Sequence, residues 1–383
     1  MSHALLSPSG ASRWTVCTPS ARMETAFPDR SGEAAKEGTV AHELGELLIR
    51  QYLGEYVDSE ITKLKTSPYY NPEMQRHAED YRDFVLELYH ESMAIDPFTI
   101  LRLETRLDLT DYIPEGFGTS DTNVVGHSLL NVIDLKYGKG VFVDAVNNKQ
   151  MMIYALGALK VHELFYDIET VRMTIFQPRL DNFSTFEMSA SDLKHWGETE
   201  LRKQAKLAFA GEGEPTAGKH CHFCKAKGTC RALADYNLEL ARYDFKAGRL
   251  LSDSEVAKIL HKAELLTTWA SAVRDYALSA ALEGTKFEGW KVVRGRSTRK
   301  VSDEEALAKK VLEMGYADKD VYTKSLVGIK ALETLLGKED MAKVESYIVK
   351  PPGAPTLVVE GDKRPEFTTA SAAANDFTKV EFE

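Results

Sequence analysis

The chain has 383 residues, 43% of them hydrophobic, and a formal net charge of −10. That length suits two domains, or one large domain with an extension, and that apolar share supplies an ordinary core. No run of about 18 apolar residues occurs, so no helical membrane span is expected. The acidic balance excludes a surface coated in basic residues but leaves room for a locally basic nucleic-acid groove. The start, Met1 to Leu6, has no basic stretch ahead of a long apolar one. No signal peptide is therefore expected, and a reducing cytoplasm is the expected compartment.

Residues 1–25 contain a short segment that delivers one thiol, Cys17. Residues 31–37 are polar and read as a loop. In 38–52 the residues Val40, Leu44, Leu47 and Leu48 recur at helical spacing, with His42 in the first turns. A second helix is expected over 71–92, with Tyr81, Phe84, Val85, Leu88 and Tyr89 on one face. In 99–109 Leu101, Leu103, Thr105 and Leu107 alternate with Arg102, Glu104, Arg106 and Asp108, which is a strand pattern. Strands over 119–125 and 129–137 flank Gly126, His127 and Ser128 as a hairpin tip. A helix over 148–165 puts Gln150 and Tyr154 on one face. Strands at 169–178 and 183–188 follow, then a helix over 191–210 with Ser191 as its cap.

Beyond a cysteine cluster, a helix is expected over 231–243, and the composition changes near 245–248. Residues 252–255 open a long helix to about 283. A short hairpin is expected over 287–301, and Ser302-Asp303-Glu304-Glu305 reads as a capping box. Two short helices over 323–336 and 338–348 precede a Pro-, Ala- and Thr-rich tail from Pro351 that is expected to be extended or disordered. The reading therefore divides the chain into 1–244, a mainly helical 245–350, and a tail 351–383.

Candidate chemistry concentrates in the hairpin. If its turn is centred between His127 and Ser128, Asp121 falls opposite Asp134. Cross-strand partners have Cβ atoms about 4.5–5.5 Å apart, so two carboxylates there can share one hard cation. Lys136, two residues after Asp134, projects from the same face. Phosphodiester hydrolysis needs water deprotonated and aimed in line, and gathering charge stabilised. Two acids with a metal, and an amine, supply those functions. The plainer alternative is an exposed strand decorated with Asp–Lys pairs. His42 alone reads equally as a packed or surface histidine, and Gln150 with Tyr154 as ordinary helix decoration. Glu104 reads as a further acid or as a solvated partner of Arg102 or Arg106.

The four cysteines are Cys17, Cys221, Cys224 and Cys230. In a reducing compartment a metal is favoured over a disulfide, and four thiolates suit either an iron–sulfur cluster or tetrahedral zinc. His220 and His222 read as neighbours. Trp290, Lys291, Arg294, Arg296, Arg299 and Lys300 are suited to gripping a DNA backbone with the indole stacked on a base, or equally to a solvated basic hairpin.

Taken together, Gly38-Thr39-Val40-Ala41-His42-Glu43, Gly118-Thr119-Ser120-Asp121, Asp134-Leu135-Lys136-Tyr137-Gly138-Lys139 and Gln150-x3-Tyr154 resemble, in order and spacing, the successive motifs of the RecB-type nucleases of the PD-(D/E)xK superfamily. Tyr137 departs from the small hydroxyl residue usual after the lysine, and Ser120 from a frequent apolar residue. The resemblance covers about residues 1–240. It implies a restriction-endonuclease-like α/β core, a mixed central sheet flanked by helices, with a mainly helical C-terminal extension. It also implies a Mg²⁺- or Mn²⁺-dependent centre. His42, Asp121 and Asp134 would hold metal there, joined by Glu104 and the Leu135 carbonyl. Lys136 would assist the attacking water, and Gln150 and Tyr154 would shape the site. The cysteine spacing is similar to that of the iron–sulfur (AddB-like) members, which implies a [4Fe–4S] cluster on Cys17, Cys221, Cys224 and Cys230 that ties the N-terminal segment to the end of the domain, with Zn²⁺ as the alternative.

The whole chain, through Lys350 to Leu357, is also similar to phage and prophage nucleases. An exonuclease acting on DNA in phage recombination, replication or repair is the implied activity, in a bacterial or phage-infected cytoplasm. A recombinase, single-strand-binding protein or helicase is the implied companion, and a homo-oligomer is compatible with the reading. The rival reading is a catalytically weak or inactive DNA-binding accessory protein with a structural four-cysteine metal site.

Overall fold

The structure is a computed structural model that describes residues 4–28, 32–139, 141–241, 253–295, 297, 299–322, 326, 328–349, 355–359 and 366–367. The chain divides into two units, Met1–Trp269 and Ala270–Glu383. The first is built on a five-stranded sheet of β1 (Ile100–Asp108), β2 (Phe117–Gly126), β3 (Leu129–Leu135), β4 (Thr170–Gln177) and β5 (Asn182–Ser189), in that spatial order. Every neighbouring pair is antiparallel except β3 and β4. A parallel pair needs a crossover, and a helix over Lys149–His162 lies within it. The first unit is thus a mixed α/β fold, its central sheet flanked by helices.

Helices precede that crossover and follow it. In chain order they are α1 (Ala11–Trp14), α2 (Ser20–Glu24), α3 (Glu33–Tyr52), α4 (Asp58–Leu64), α5 (Pro72–Ile95), the crossover α6 (Lys149–His162), α7 (Ala190–Trp196), α8 (Arg202–Ala210) and α9 (Arg231–Ala241). One core forms where Leu130, Val132, Val171 and Met173 pack with α6, Leu6 and Trp14. A second forms where Val124, Ile133 and Leu135 pack with Ile49 of α3 and Tyr81 and Val85 of α5. The alternation of a strand sends neighbouring residues to opposite faces, so Val132 and Ile133 serve different cores. Polar ends are satisfied locally. Asn71 caps α5 through the Met74 amide, and Asn148 caps α6 through the amides of Gln150 and Met151.

Several expectations shift by a few residues. Helix α3 begins at Glu33, earlier than expected. Glu33, Ala34, Ala35 and Lys36 are good helix formers, and their polarity had suggested a loop. Helix α7 is capped by Ser189, whose hydroxyl accepts from the Asp192 amide, in place of Ser191. Helix α6 ends at His162. The composition change at 245–248 lies outside the described residues.

The second unit takes its core from α11 (Glu304–Glu313), α12 (Asp318–Val321) and α13 (Ile329–Lys343), following α10 (Asp253–Leu282) in sequence. Leu307, Ala308, Val311, Val321, Leu332, Leu336 and Val344 are buried in it. Asp303, within the expected capping box, accepts from the Ala306 amide. Gly337, at φ 66°, breaks α13 near the expected join between two helices. The expected hairpin over 287–301 does not form with itself. Strand β6 (Trp290–Arg294) pairs with β9 (Pro355–Val359), and β7 (Lys300–Val301) with β8 (Ile348–Val349). Nonlocal partners won because both ladders draw on apolar strands that lie far along the chain. Part of the expected tail is therefore a strand; its other residues, Glu366 and Phe367 excepted, lie outside the described residues.

Trp14 tests whether the N-terminal segment is part of the first core. It is 2% exposed and its indole donates to the Ser7 carbonyl at 2.9 Å. Trp14→Ala should cost about 3–5 kcal/mol. A urea midpoint that moves by a few tenths of that amount would place residues 4–28 outside the cooperative unit.

Candidate functional site

The site grows out of an irregularity in the sheet. The β2–β3 ladder runs from Gly126 opposite Leu129 to Thr122 opposite Ile133, so the two-residue turn is His127 and Ser128 and the next step in register is Asp121 beside Asp134. In β1 the same row holds Glu104, because Leu103 pairs with Thr122 and Thr105 with Ser120. Three carboxylates thus lie in one row across three strands.

The pleat breaks in that row. Leu101 and Leu103 pack into the core beneath α5, whereas Leu107 and Leu109 pack into the core against α6. All four are odd-numbered and would share one face of a regular strand. Between the pairs Glu104 takes φ 44°, in the left-handed region. On β2, the Ser120 hydroxyl donates to the Asn123 side chain at 3.0 Å, a contact between residues three apart that regular alternation forbids. The break turns Glu104 and Asp121 toward α3 and leaves Asp134 toward α6. The expectation that Asp121 and Asp134 project together from a regular hairpin is corrected accordingly.

On the α3 side, His42 Nδ1 lies 3.2 Å from Asp121 Oδ2, and the Leu135 amide donates to that oxygen at 2.9 Å. One ligand atom from each of His42, Glu104 and Asp121 falls within 4.8 Å of the others. They line a cavity of about 10 Å³ with Glu46, Tyr81, Leu103, Thr122 and Leu135, about the room one water-sized occupant needs. Tyr81 shares a 2.9 Å hydrogen bond with Thr122.

On the α6 side, Lys136 Nζ lies 2.8 Å from Asp134 Oδ2 and donates to Gln150 Oε1 at 3.2 Å. The Gln150 amide donates to Asp134 Oδ1 at 3.0 Å and approaches the Tyr154 hydroxyl at 3.4 Å. Every hairpin and helix residue singled out from sequence is therefore here, in two adjoining groups.

Charge in the site is unbalanced. Burial depresses His42, but Asp121 outweighs it and carries the imidazole up to about 9. Burial, then Asp121, pushes Glu104 up to about 7. Burial opposes ionisation of Asp121, yet His42 brings it below the ordinary range. Asp134 goes the other way: burial raises it despite Lys136. The lysine, penalised by burial, is held charged by Asp134 and Asp121. Four carboxylates, counting Glu46, thus meet one imidazole, one ammonium and, at Glu46 alone, the Arg50 guanidinium at 3.4 Å, and Glu104 and Asp134 resist ionisation.

Glu46 escaped the sequence reading although its signal was present, one helical turn beyond His42. Tyr81 gave none, since it reads as part of an apolar helix face.

The cysteines also converge. Cys17, Cys221 and Cys224 are buried and Cys230 is half-buried; none is joined in a disulfide. Cys17 Sγ accepts from the Thr216 amide at 3.5 Å. Both segments are clamped together: Thr18 donates to the Glu212 carbonyl at 2.5 Å, Arg22 to the Phe209 carbonyl at 2.7 Å, and the Lys225 amide to Glu24 at 2.7 Å. Arg13 pairs with the same Glu24 at 2.7 Å. Burial, then Glu24, pushes the Cys224 thiol up to about 12, and burial raises Cys221. His220 is engaged with the Thr216 carbonyl and His222 lies against Phe223.

The basic set in the second unit is dispersed. Trp290 and Arg294 share one face of β6 with Val292, Lys291 lies on the other, and Lys300 belongs to a different ladder. Trp290 is 47% exposed, and Arg294 lies over the Phe367 ring at 5.4 Å. Arg299 is exposed, and Arg296 lies outside the described residues.

These features define an α/β protein whose mixed sheet carries a carboxylate, imidazole and amine cluster and whose N-terminal segment is joined to the 209–230 stretch near four thiols. The chain belongs to the family described as "Protein of unknown function (DUF2800)", whose model matches residues 3–365. A solved structure described as "Crystal structure of SSO0001" is similar over 56% of this chain and 95% of that one, at 13% identity and a TM-score of 0.24. Among the described residues, no helix is long and apolar enough to cross a membrane.

The left-handed Glu104 makes a prediction of unusual sign. In an ordinary strand Gly is less stable than Ala, but at positive φ the order reverses. Glu104→Gly should exceed Glu104→Ala in stability by about 1 kcal/mol, read from urea midpoints in EDTA. An alanine variant as stable as the glycine variant would mean that the backbone is not held in this conformation.

Proposed function

We propose that this protein is a divalent-metal-dependent DNA nuclease with a PD-(D/E)xK core, acting as an exonuclease in phage recombination, replication or repair. The observation that carries the reading is the row Glu104, Asp121 and Asp134 across three strands, with His42 above it and Lys136 beside it. The residues fit Mg²⁺ or Mn²⁺. Oxygen donors and one imidazole suit such ions, and the crowding of Glu104 against Asp121, which adds to burial in pushing Glu104 up to about 7, is what a cation would relieve. His42, Glu104 and Asp121 would hold it.

Bound there, a divalent ion supplies acidification of water and withdrawal of charge from phosphoryl oxygen. The chain does the rest. Asp121 is aimed by the Leu135 amide and His42. Lys136, fixed between Asp134 and Gln150, presents a charged ammonium to the negative charge that gathers at phosphorus. Gln150 holds Asp134 and Lys136 in register, and Tyr154 braces Gln150. DNA would be the substrate, with a recombinase, single-strand-binding protein or helicase as companion.

The four thiols would hold a [4Fe–4S] cluster that locks residues 13–24 to residues 209–230. Four thiols brought together from two distant segments supply the four sulfur ligands such a cluster takes, with tetrahedral zinc as the alternative. Protein purified without oxygen should absorb broadly in the visible and contain iron. Stoichiometric zinc without iron after reconstitution would replace the cluster with a zinc clasp.

The rival reading, a weak or inactive DNA-binding accessory protein, draws on Asp134 being tied to Lys136 and Gln150 and standing apart from the His42 group. End-labelled single- and double-stranded DNA with Mg²⁺ or Mn²⁺ separates the two. Asp134→Ala and Lys136→Ala should lower cleavage at least about a hundredfold. Mn²⁺ should still raise the Tm of Lys136→Ala but not that of Asp121→Ala. Absence of metal-dependent cleavage on every substrate would leave the accessory reading.

A further inference from the structure

The stretch from Tyr137 to Asn147 leaves the site one residue after Lys136 and ends three residues before Gln150. Three of its apolar side chains face water. Val141, Phe142 and Val146 are 43%, 65% and 51% exposed. A loop free to move would fold such side chains inward, since each gains by leaving water. This backbone is instead tied down by two amides from the neighbouring strands.

Gln177, 1% exposed, donates to the carbonyls of Gly138 at 3.2 Å and Val141 at 2.8 Å, and accepts from the Val143 amide at 3.2 Å. Asn182 donates to the Val143 carbonyl at 2.8 Å and to Gln177 at 3.0 Å. Ser184 accepts from the Ala145 amide at 2.9 Å and donates to Asp144 at 2.7 Å. Asn148, the cap of α6, donates to the Asp144 carbonyl at 2.8 Å. Asn147 supplies a left-handed turn at φ 53°, which Asn tolerates. Buried amides are costly unless bonded, and the hydrogen bonds of Gln177 and Asn182 fix the path of this loop. Ala145 and Tyr137 face inward and are buried, which sends Val141, Phe142 and Val146 out.

We infer that Phe142, flanked by Val141 and Val146, is a stacking platform for an unpaired nucleobase of the DNA strand whose phosphate enters the site. The inference rests on the nuclease reading and adds a substrate class to it: single-stranded DNA, or a duplex end with an unpaired terminal base. Phe142 is six residues beyond Lys136, which places it within about 20 Å of that amine even for extended chain, a reach of a few nucleotides. Every base has an aromatic face, so a phenylalanine held in water within that reach of a phosphate site grips without choosing sequence. A base inside intact duplex has both faces covered, and the platform therefore discriminates against it.

The test uses the full-length protein in EDTA, so that binding is measured without cleavage. Fluorescence anisotropy compares a short single-stranded oligodeoxynucleotide with one of the same length whose sugars carry no bases. Phe142→Ala should weaken binding of the normal strand about tenfold or more, while Phe142→Trp restores it and Phe165→Ala, at a still more exposed phenylalanine, changes nothing. All four proteins should bind the abasic strand alike. A 2-aminopurine base should be quenched by the wild type and not by Phe142→Ala.

Equal binding of the normal strand by wild type and Phe142→Ala overturns the proposal. So does an equal loss on the abasic strand, which would make Phe142 a structural residue. The nuclease reading fails separately. Coupling between Phe142 and the base without metal-dependent cleavage leaves the platform and removes hydrolysis, and cleavage without coupling does the reverse. No binding of DNA by the wild type overturns both.

Discussion

The hydrogen bond from the Leu135 amide to the Asp121 carboxylate is where sheet pairing gives way to chemistry. The β2–β3 ladder ends one residue earlier, at Thr122 and Ile133, and a side chain takes over the amide from there. A backbone donor this close to the core cannot be left unpaired without cost. Asp121 therefore satisfies the sheet and faces His42 at once. The left-handed Glu104 beside it and the broken alternation of β1 and β2 follow from the same demand, since both turn acids out of a regular pleat toward α3. Residues held in such conformations persist only where the surroundings over-determine them, and here the two cores do so from opposite sides.

Much of the site was legible because it depends on local periodicity. The two-residue turn fixed the β2–β3 register, and helical spacing placed Gln150 and Tyr154 together. What the pattern could not carry was the break at Glu104. Alternation of Leu101, Leu103 and Leu107 looks unbroken in sequence, yet those leucines enter different cores. A change of face without an inserted residue leaves no trace in the spacing.

Elsewhere the misses share another cause. Strand β6 found its partner more than sixty residues away in β9, and residues of low hydrophobicity at 33–37 continued α3 because propensity was sufficient. In the loop before α6 the sequence shows a short apolar cluster, but only the hydrogen bonds of Gln177 and Asn182 reveal that the cluster is held outward. Local signals report what a segment prefers; they are silent about which distant amides will hold it.

The clamp between α2 and the segment after α8 has a consequence for the order of assembly. Thr18 and Glu212 are 194 residues apart, and Glu24 and Lys225 are 201 apart. Because the N-terminal part of a chain leaves the ribosome first, Leu6 and Trp14 emerge long before α6 and α8 can cover them. For that interval two large apolar side chains stand in water, and the clamp itself cannot form before Phe209, Glu212 and Lys225 have been made.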